Sequence, residues 1–399
     1  MALTQDGFAR KLMKRLRVGG AEGDLAYDPE SFALRWGPGR ITNLANFYLE
    51  YQRAGFFTRS AVLRHIVRAI LSVEDATIPN DFEQAAPNVL PRVRDLAYFD
   101  IAELHFRIQG LDQHHPVYRT FAGELAFELV FDSELNMAAI GADQLARWGK
   151  DFEEVYRVAQ GNLRARSAKP LDQPMPGLYV SAWEDYHDAG RLALLDLVNH
   201  QKVKGEHVAM VPNRDLLIVT GSDDLDGQAA MLELALAGLE HTRAISGVPL
   251  VLDAGGWQRF EIAPDHPLAR SYRRVEALNC GSVYTQQKEL LEILNERNED
   301  ETFVASFSAI EEPESGDLRT YSVWTRGVDT LLPRTHLIAL VDPEDEERRL
   351  LVPWDEVAER CGKLMKPQGW HPERWRVQSF PGGDDLTAFE TTSVRLGDQ

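Results

Sequence analysis

Residues 207–238 read HVAMVPNRDLLIVTGSDDLDGQAAMLELALAG, and this stretch decides the fold. Two apolar runs flank Pro212-Asn213-Arg214-Asp215, four residues with the chemistry of a tight turn. The second run, LLIVTG, is nearly all apolar, as a central strand buried on both faces must be. From Asp226 to Gly238 the pattern becomes helical. A hairpin followed directly by a helix places that helix across one face of an antiparallel sheet.

The same order recurs on either side. In ELAFELVFDSELNMAAIG two strands flank the turn Asp132–Ser133, and a helix begins near Ala142. In HLIALVDPEDEERRLLVPWDEVAERCG the turn runs from Pro343 to Glu347, and Asp355 opens the helix. Units near 123–149, 207–238 and 336–362 are unevenly spaced and share little side-chain identity, so they are not a solenoid repeat. The predicted class is α+β: antiparallel sheets built from strand-turn-strand-helix units, with a helical N-terminal segment.

That segment opens with Phe8, Leu12 and Leu16 at i, i+4 and i+8 among Arg10, Lys11, Lys14, Arg15 and Arg17. The apolar stripe is narrow, and no apolar run of signal-peptide length follows it, so a helix packed on its own domain is expected. Leu44, Phe47, Tyr48 and Tyr51 share a second helical face. Val62, Ile66, Ala69 and Ile70 share a third, with Ser60 as cap. Pro79, Pro87 and Pro91 then break the pattern. The expected organisation is a helical segment over 1–75, an α+β domain over 76–265 and a C-terminal α+β domain over 280–399. Their junction is set at 263–282, where periodicity is poor. EEPESGD (311–317) reads as a hairpin tip, and the stretch from Pro381 onward shows no clear pattern.

Across 399 residues, 43 Lys+Arg face 62 Asp+Glu, a net charge of −19. Sequence-independent nucleic-acid binding requires a cationic surface, so no nucleic-acid partner is expected. Residues 1–75 carry 11 basic and 8 acidic side chains, an excess too small for a polyanion site. Cys280 and Cys361 form neither a CxxC nor a disulfide framework. No apolar run approaches the ~18–20 residues of a membrane span, and a cytoplasmic protein is expected.

Three stretches carry a resemblance: AQGNLRA (159–165), YHDAGRLALLDLV (186–198) and AMVPNRDLLIVTGSDD (209–224). In this order they resemble the YtpQ-like family of bacterial proteins of unknown function, over about residues 85–265. That family has an Asn-Leu-Arg element in a helix, then a Tyr-x-Asp-x-x-Arg helix start, then a strand ending in Val-Pro and a turn with Asp. The matching positions are Asn162, Leu163 and Arg164; Tyr186, Asp188 and Arg191; and Val211, Pro212 and Asp215. Residues 1–75 and 280–399 exceed the family's usual size. The resemblance implies a cytosolic bacterial α+β protein and carries over no catalytic residue. It makes Asn162, Arg164, Tyr186, Asp188, Arg191 and Asp215 the candidate binding positions.

On a helix, Asp188 and Arg191 are i, i+3 neighbours suited to an ion pair, with His187 beside them as a potential base. The acidic loop GSDDLD (221–226) offers carboxylates for a divalent cation, but Ser222, Asp223 and Asp224 are also ordinary helix caps. His114–His115 beside Pro116 reads as a loop. Gly-rich phosphate loops and the GxSxG elbow are missing. No metal, cofactor or catalytic set is therefore expected. Trp324, Trp354, Trp370 and Trp375 are read as core, with an exposed aromatic contact surface as the alternative. The leading expectation is a non-enzymatic binding or regulatory protein that recognises another protein, a basic one by charge, through sheet and aromatic surfaces. One alternative is an enzyme with its site between residues 186–191 and 221–226. A further alternative is a structural subunit of a larger assembly.

Overall fold

The structure is a computed structural model. It describes all residues except 1, 2, 22, 30, 31, 37–39, 56, 57, 72–77, 112–115, 134–136, 241, 242, 312–315, 346–348 and 395–399. His114, His115, the tip of the 311–317 hairpin and the end of the 343–347 turn lie outside the described residues. The chain divides into two compact units: Met1–Pro91 with Leu129–Arg166, and Arg92–Glu128 with Ser167–Gln399. The division differs from the expected three segments, since residues 76–265 contribute to both units.

In the first unit, α1 (Gln5–Val18) is capped by Thr4, whose hydroxyl accepts from the Gly7 amide at 3.2 Å. Phe8, Leu12 and Leu16 are fully buried, so the predicted stripe faces this unit's core. Three short strands follow, β1 (Leu25–Asp28), β2 (Ala33–Trp36) and β3 (Arg40–Asn43), paired antiparallel in that order. They add a small sheet to the helical segment that the sequence predicts. Four-residue strands are too short for a period-2 signal to stand out between strong helical stripes. The helices α2 (Ala45–Arg53), α3 (Arg59–Leu71) and the single turn α4 (Phe82–Ala85) follow. Leu25, Leu34, Leu44, Tyr51, Leu63, Ile66 and Ile70 close over the α1 stripe.

The chain passes from one unit to the other along β4 (Val89–Asp95) and returns along β6 (Leu125–Asp132). Between them lie α5 (Leu96–Gln109), capped by Asp95 on the Ala97 amide at 2.8 Å, and β5 (Tyr118–Phe121). Strand β7 (Met137–Ala139) pairs with the end of β6, Val130 opposite Ala139, completing the first predicted hairpin. Its helix, α6 (Ala142–Trp148), starts where the sequence places it and stops at left-handed Gly149. Helix α7 (Phe152–Arg166) opens on a reciprocal capping box. The Asp151 carboxylate accepts from the Glu154 amide at 2.8 Å, and Glu154 accepts from the Asp151 amide at 3.1 Å.

In the second unit, β8 (Asp172–Met175) and β9 (Leu178–Val180) lead through the short α8 (Leu195–Asn199) to β10 (His207–Asn213) and β11 (Leu216–Gly221). The hairpin has the predicted register, His207 opposite Gly221 and Met210 opposite Ile218, with a bulge before Asn213. Pro212 and Asn213 belong to the strand, which shortens the turn to Arg214–Asp215. Helix α9 (Leu225–Leu239) buries Met231, Leu232 and Ala235 on Val208, Met210 and Ile218. Strands β12 (Leu250–Asp253) and β13 (Gly256–Arg259) complete a six-stranded antiparallel sheet in the order β13-β12-β10-β11-β9-β8.

The expected junction at 263–282 does not exist as a linker. Residues Ala269–Asn298 form one 30-residue helix, α10. Its buried face includes Asn279 and Gln287 among Tyr272, Val275, Tyr284, Leu290 and Leu291, and polar side chains at buried positions hide the apolar period. Beyond it come β14 (Phe303–Val304), β15 (Ser308–Glu311), β16 (Leu318–Thr325), β17 (Thr330–Pro333), β18 (Leu337–Val341), β19 (Arg349–Pro353) and α11 (Trp354–Cys361). Last are β20 (Met365–Pro367), β21 (Arg374–Val377) and α12 (Gly383–Thr392). The third strand-turn-strand-helix unit is β18-β19-α11, Leu337 opposite Pro353. Two four-stranded sheets result, β15-β16-β18-β19 and β14-β17-β21-β20. Because β17 leaves for the second sheet, β16 and β18 pair in parallel, and β14 and β17 do likewise. The stretch read as patternless contains α12, anchored by buried Leu386 and Phe389.

Candidate functional site

The YHDAGR motif follows β9 in a turn whose backbone is pinned to β11. The Ser181 amide donates to Leu217 O at 2.9 Å, and the Leu217 amide donates to Ser181 Oγ at 2.9 Å. Where a helix was predicted from Tyr186, residues Ala189–Ala193 form a buried 3-10 turn. At about three residues per turn, the side chains no longer fall where α-helical spacing would put them. Arg191, fully buried, therefore forks onto Asp185 rather than Asp188, with Nη1–Oδ1 at 2.9 Å and Nη2–Oδ2 at 2.7 Å. Its Nε donates to Ser167 Oγ at 2.9 Å, and its guanidinium lies 4.0 Å from the Trp183 ring centre. Burial alone would raise the Asp185 carboxyl, but the Arg191 fork and the His187 amide hold it below the usual carboxylate range.

Asp188 is turned inward and fully buried, with Oδ1 accepting from the Trp183 amide at 3.2 Å. Burial pushes its carboxyl up, against the pull of that amide and of Ser181. Tyr186 is half-exposed at φ 69°, and the Arg214 guanidinium stacks 4.3 Å from its ring centre. Arg214 Nε in turn donates to Asp215 at 2.9 Å. So Tyr186, Asp188, Arg191 and Asp215 share one corner. Asp185, Trp183 and Arg214 join it, and none of the three is among the predicted site positions. The Asp185–Arg191 spacing of six suits no regular element, so only the turn reveals it.

Asn162 and Arg164 belong to the first unit. Asn162 Nδ2 donates to Ala86 O at 2.6 Å and Val89 O at 2.9 Å, stapling α7 to the turn before β4. Arg164 sits in the last turn of α7, where a cation suits the helix end.

The acidic loop 221–226 lies at the far end of β11 from Arg214, roughly 17 Å away at strand rise. Asp224 caps α9 by accepting from the Gly227 amide at 3.4 Å, and Lys204 Nζ reaches it at 3.3 Å. Ser222 Oγ accepts from the Glu206 amide at 2.9 Å. The two halves of the alternative enzymatic site thus stand at opposite ends of one strand. Trp324 and Trp354 are core residues, and Trp375 packs on Trp354 at 4.9 Å between ring centres. Trp370 packs on the cluster around Ile101 and Leu104. The late tryptophans supply no exposed aromatic surface.

The surface suited to recognition lies elsewhere in the second unit. Among the described residues, β15 is paired on one side only, with β16. Beside it the outward face of α10 carries Leu278, Gly281, Ser282 and Thr285. With Phe307 and Ala309 these line an open groove of about 540 Å³. Small residues let a second backbone come close. Phe307 is held against the Tyr284 ring at 5.2 Å, so the floor is firm. Leu278 is half-exposed, and Glu289 is the ionisable group among the lining residues. A strand as short as β15, beside an uneven small-residue face, gives no periodic signal in the sequence.

No family model, curated protein or solved structure matches this chain.

Proposed function

We propose that this chain is a non-enzymatic recognition protein that binds an extended segment of another protein along β15. The observation that carries the reading is the groove between that strand and the Leu278–Thr285 face of α10. An unpaired strand edge offers backbone donors and acceptors to an added strand, and side-chain pockets then select the segment. The small, apolar lining suits Ala, Val or Ser in the bound segment. Glu289 and the chain's charge of −19 favour a Lys or Arg near its end.

The YtpQ-like resemblance of residues 85–265 belongs to this proposal as kinship at the level of fold, carrying no chemistry with it. The reading places the chain in the cytoplasm, where Cys280 and Cys361 stay reduced thiols. It assigns no nucleic-acid partner. The corner around Arg191 serves to hold the β9–β11 connection, with Asp185 committed to Arg191 and Asp215 to Arg214.

Selection from a displayed library of random peptides against the full chain tests the proposal. Enriched peptides are expected to be extended, to carry small apolar residues and a basic end, and to lose binding to the Ser282→Trp variant. Peptides that bind Ser282→Trp as well as the parent, or no enrichment at all, would overturn it.

A further inference from the structure

A second cleft, of about 280 Å³, shares Ala277 and Phe307 with the groove and opens between α10, β16, the β17–β18 connection and the start of α11. Its apolar wall is the Phe307 ring; Trp354, 2 % exposed, lies beneath the Arg334 guanidinium, 5.0 Å from its ring centre. Phe307 lies on Tyr284 at 5.2 Å between ring centres, and Trp354 lies on Trp375 at 4.9 Å. Arg273, Arg334 and His336 line the same cleft.

The donors and acceptors in this cleft are unequally committed. Glu276 is engaged by Arg259, and Asp355 by Arg334 at 2.7 Å. Each guanidinium has five N–H donors, and Arg273 gives Asp317 one of them at 3.0 Å. The His336 ring is pinned. Its Nδ1 accepts from the Thr320 backbone amide at 3.0 Å, and its own amide donates to Thr320 Oγ at 2.9 Å. An amide can only donate, so the ring proton sits on Nε2. Burial and the nearby Arg273 charge lower the His336 pKa, which keeps the ring neutral. The cleft therefore offers N–H groups in excess. Its lining carries two guanidiniums and two carboxylates, which disfavours a polyanion.

Cys280 also lines this cleft, which raises the question of a thiol–imidazole pair. Burial, together with Glu124, Glu276 and Asp95, pushes the Cys280 thiol up, the reverse of what a nucleophile needs. The His336 Nδ1 is spent on the backbone. Binding, not covalent chemistry, fits these groups.

We propose that this cleft binds a small aromatic carboxylate, its ring on Phe307 and its carboxylate on Arg334, Arg273 and His336 Nε2. A planar fork of oxygens matches guanidinium geometry, and the volume suits a single substituted ring. The inference is independent of peptide binding at β15.

Calorimetric titration of the full chain with benzoate, benzamide and inorganic phosphate tests it. Benzoate is expected to bind at one site, with benzamide and phosphate each at least about tenfold weaker. Arg334→Met, at a half-exposed side chain, is expected to weaken benzoate at least about tenfold with an unchanged melting temperature. Ser282→Trp is expected to leave benzoate binding intact while removing peptide binding. Absence of benzoate binding, benzamide binding as tight as benzoate, or full affinity in both Arg334→Met and Arg273→Met would overturn the proposal.

Discussion

Arg374 and Arg191 are both fully buried, and they solve burial differently. Arg191 has a carboxylate. Arg374 is held by neutral oxygens: Gln287 Oε1 at 2.6 Å, Ala305 O and Tyr284 O at 3.0 Å, and Leu331 O at 3.3 Å. Burial lowers its pKa to about 10, so it stays charged at neutral pH. It ties α10 to β17 and β21 through one rigid fork. Arg374→Met is expected to cost about 3 kcal/mol in urea unfolding, because it orphans several buried carbonyls at once. Arg374→Lys is not expected to recover that loss, since an ammonium cannot reproduce the fork. At the other arginine, Asp185→Asn strands a buried cation. It should cost roughly 2–3 kcal/mol, discounted because Asp185 is partly solvated. Asp188→Asn is expected to change neutral-pH stability by less than about 1 kcal/mol, because an Asn oxygen can still accept from the Trp183 amide that Asp188 Oδ1 accepts from. A larger loss at Asp188 than at Asp185 would show that Asp188, not Asp185, balances Arg191. The motif's residue types were legible in the sequence; its pairing was not, because it depends on a 3-10 turn.

At the scale of elements, local rules hold where a segment supplies its own caps. Asp151 and Glu154 satisfy each other's amides at the start of α7, and Asp151→Ala is expected to lower stability by about 1 kcal/mol. A loss below about 0.3 kcal/mol would mean the box adds nothing to packing. The hairpins and helices of the three repeated units were legible because alternation, turn residues and helical stripes agree there. The helix α10 escaped that logic. It is a 30-residue rod with buried Asn279 and Gln287, and Gln287 is polar because Arg374 needs its oxygen. The candidate groove escaped it too, since Phe307 and Ala309 reach Leu278 and Ser282 only once β15 lies beside α10.

For the whole molecule, opposed buried carboxyls set the response to pH. Burial, helped by Glu124, raises Asp95 to about 7. The folded state keeps a proton there that the unfolded chain, with an ordinary carboxyl value of 3.8, has already released. That contribution is complete below the unfolded value and is lost as pH rises through about 7. Glu124 is also raised, chiefly by burial. Glu128 runs the other way. Burial would raise it, but Arg92 and Arg94, at 2.6 and 2.7 Å, hold it low. Its contribution is present above the usual carboxylate range and fades as pH falls. Melting temperature is therefore expected to decline from pH 5 to pH 8. Asp95→Asn, which keeps the cap on α5, should flatten that decline. An unchanged slope in Asp95→Asn would assign the decline to other groups. Among the described residues no helix is long and apolar enough to cross a membrane, and the α1 stripe lies in the core of its own unit.

By itself the sequence determined the α+β class, the three hairpin-plus-helix units and the inward face of α1, because these rest on periodicity and turn chemistry within some thirty residues. Only the tertiary structure decided that Arg191 pairs with Asp185, that residues 186–191 and 221–226 stand at opposite ends of β11, and that α10 and β15 border a groove. Those facts depend on which distant segments meet, and sequence spacing carries no record of that.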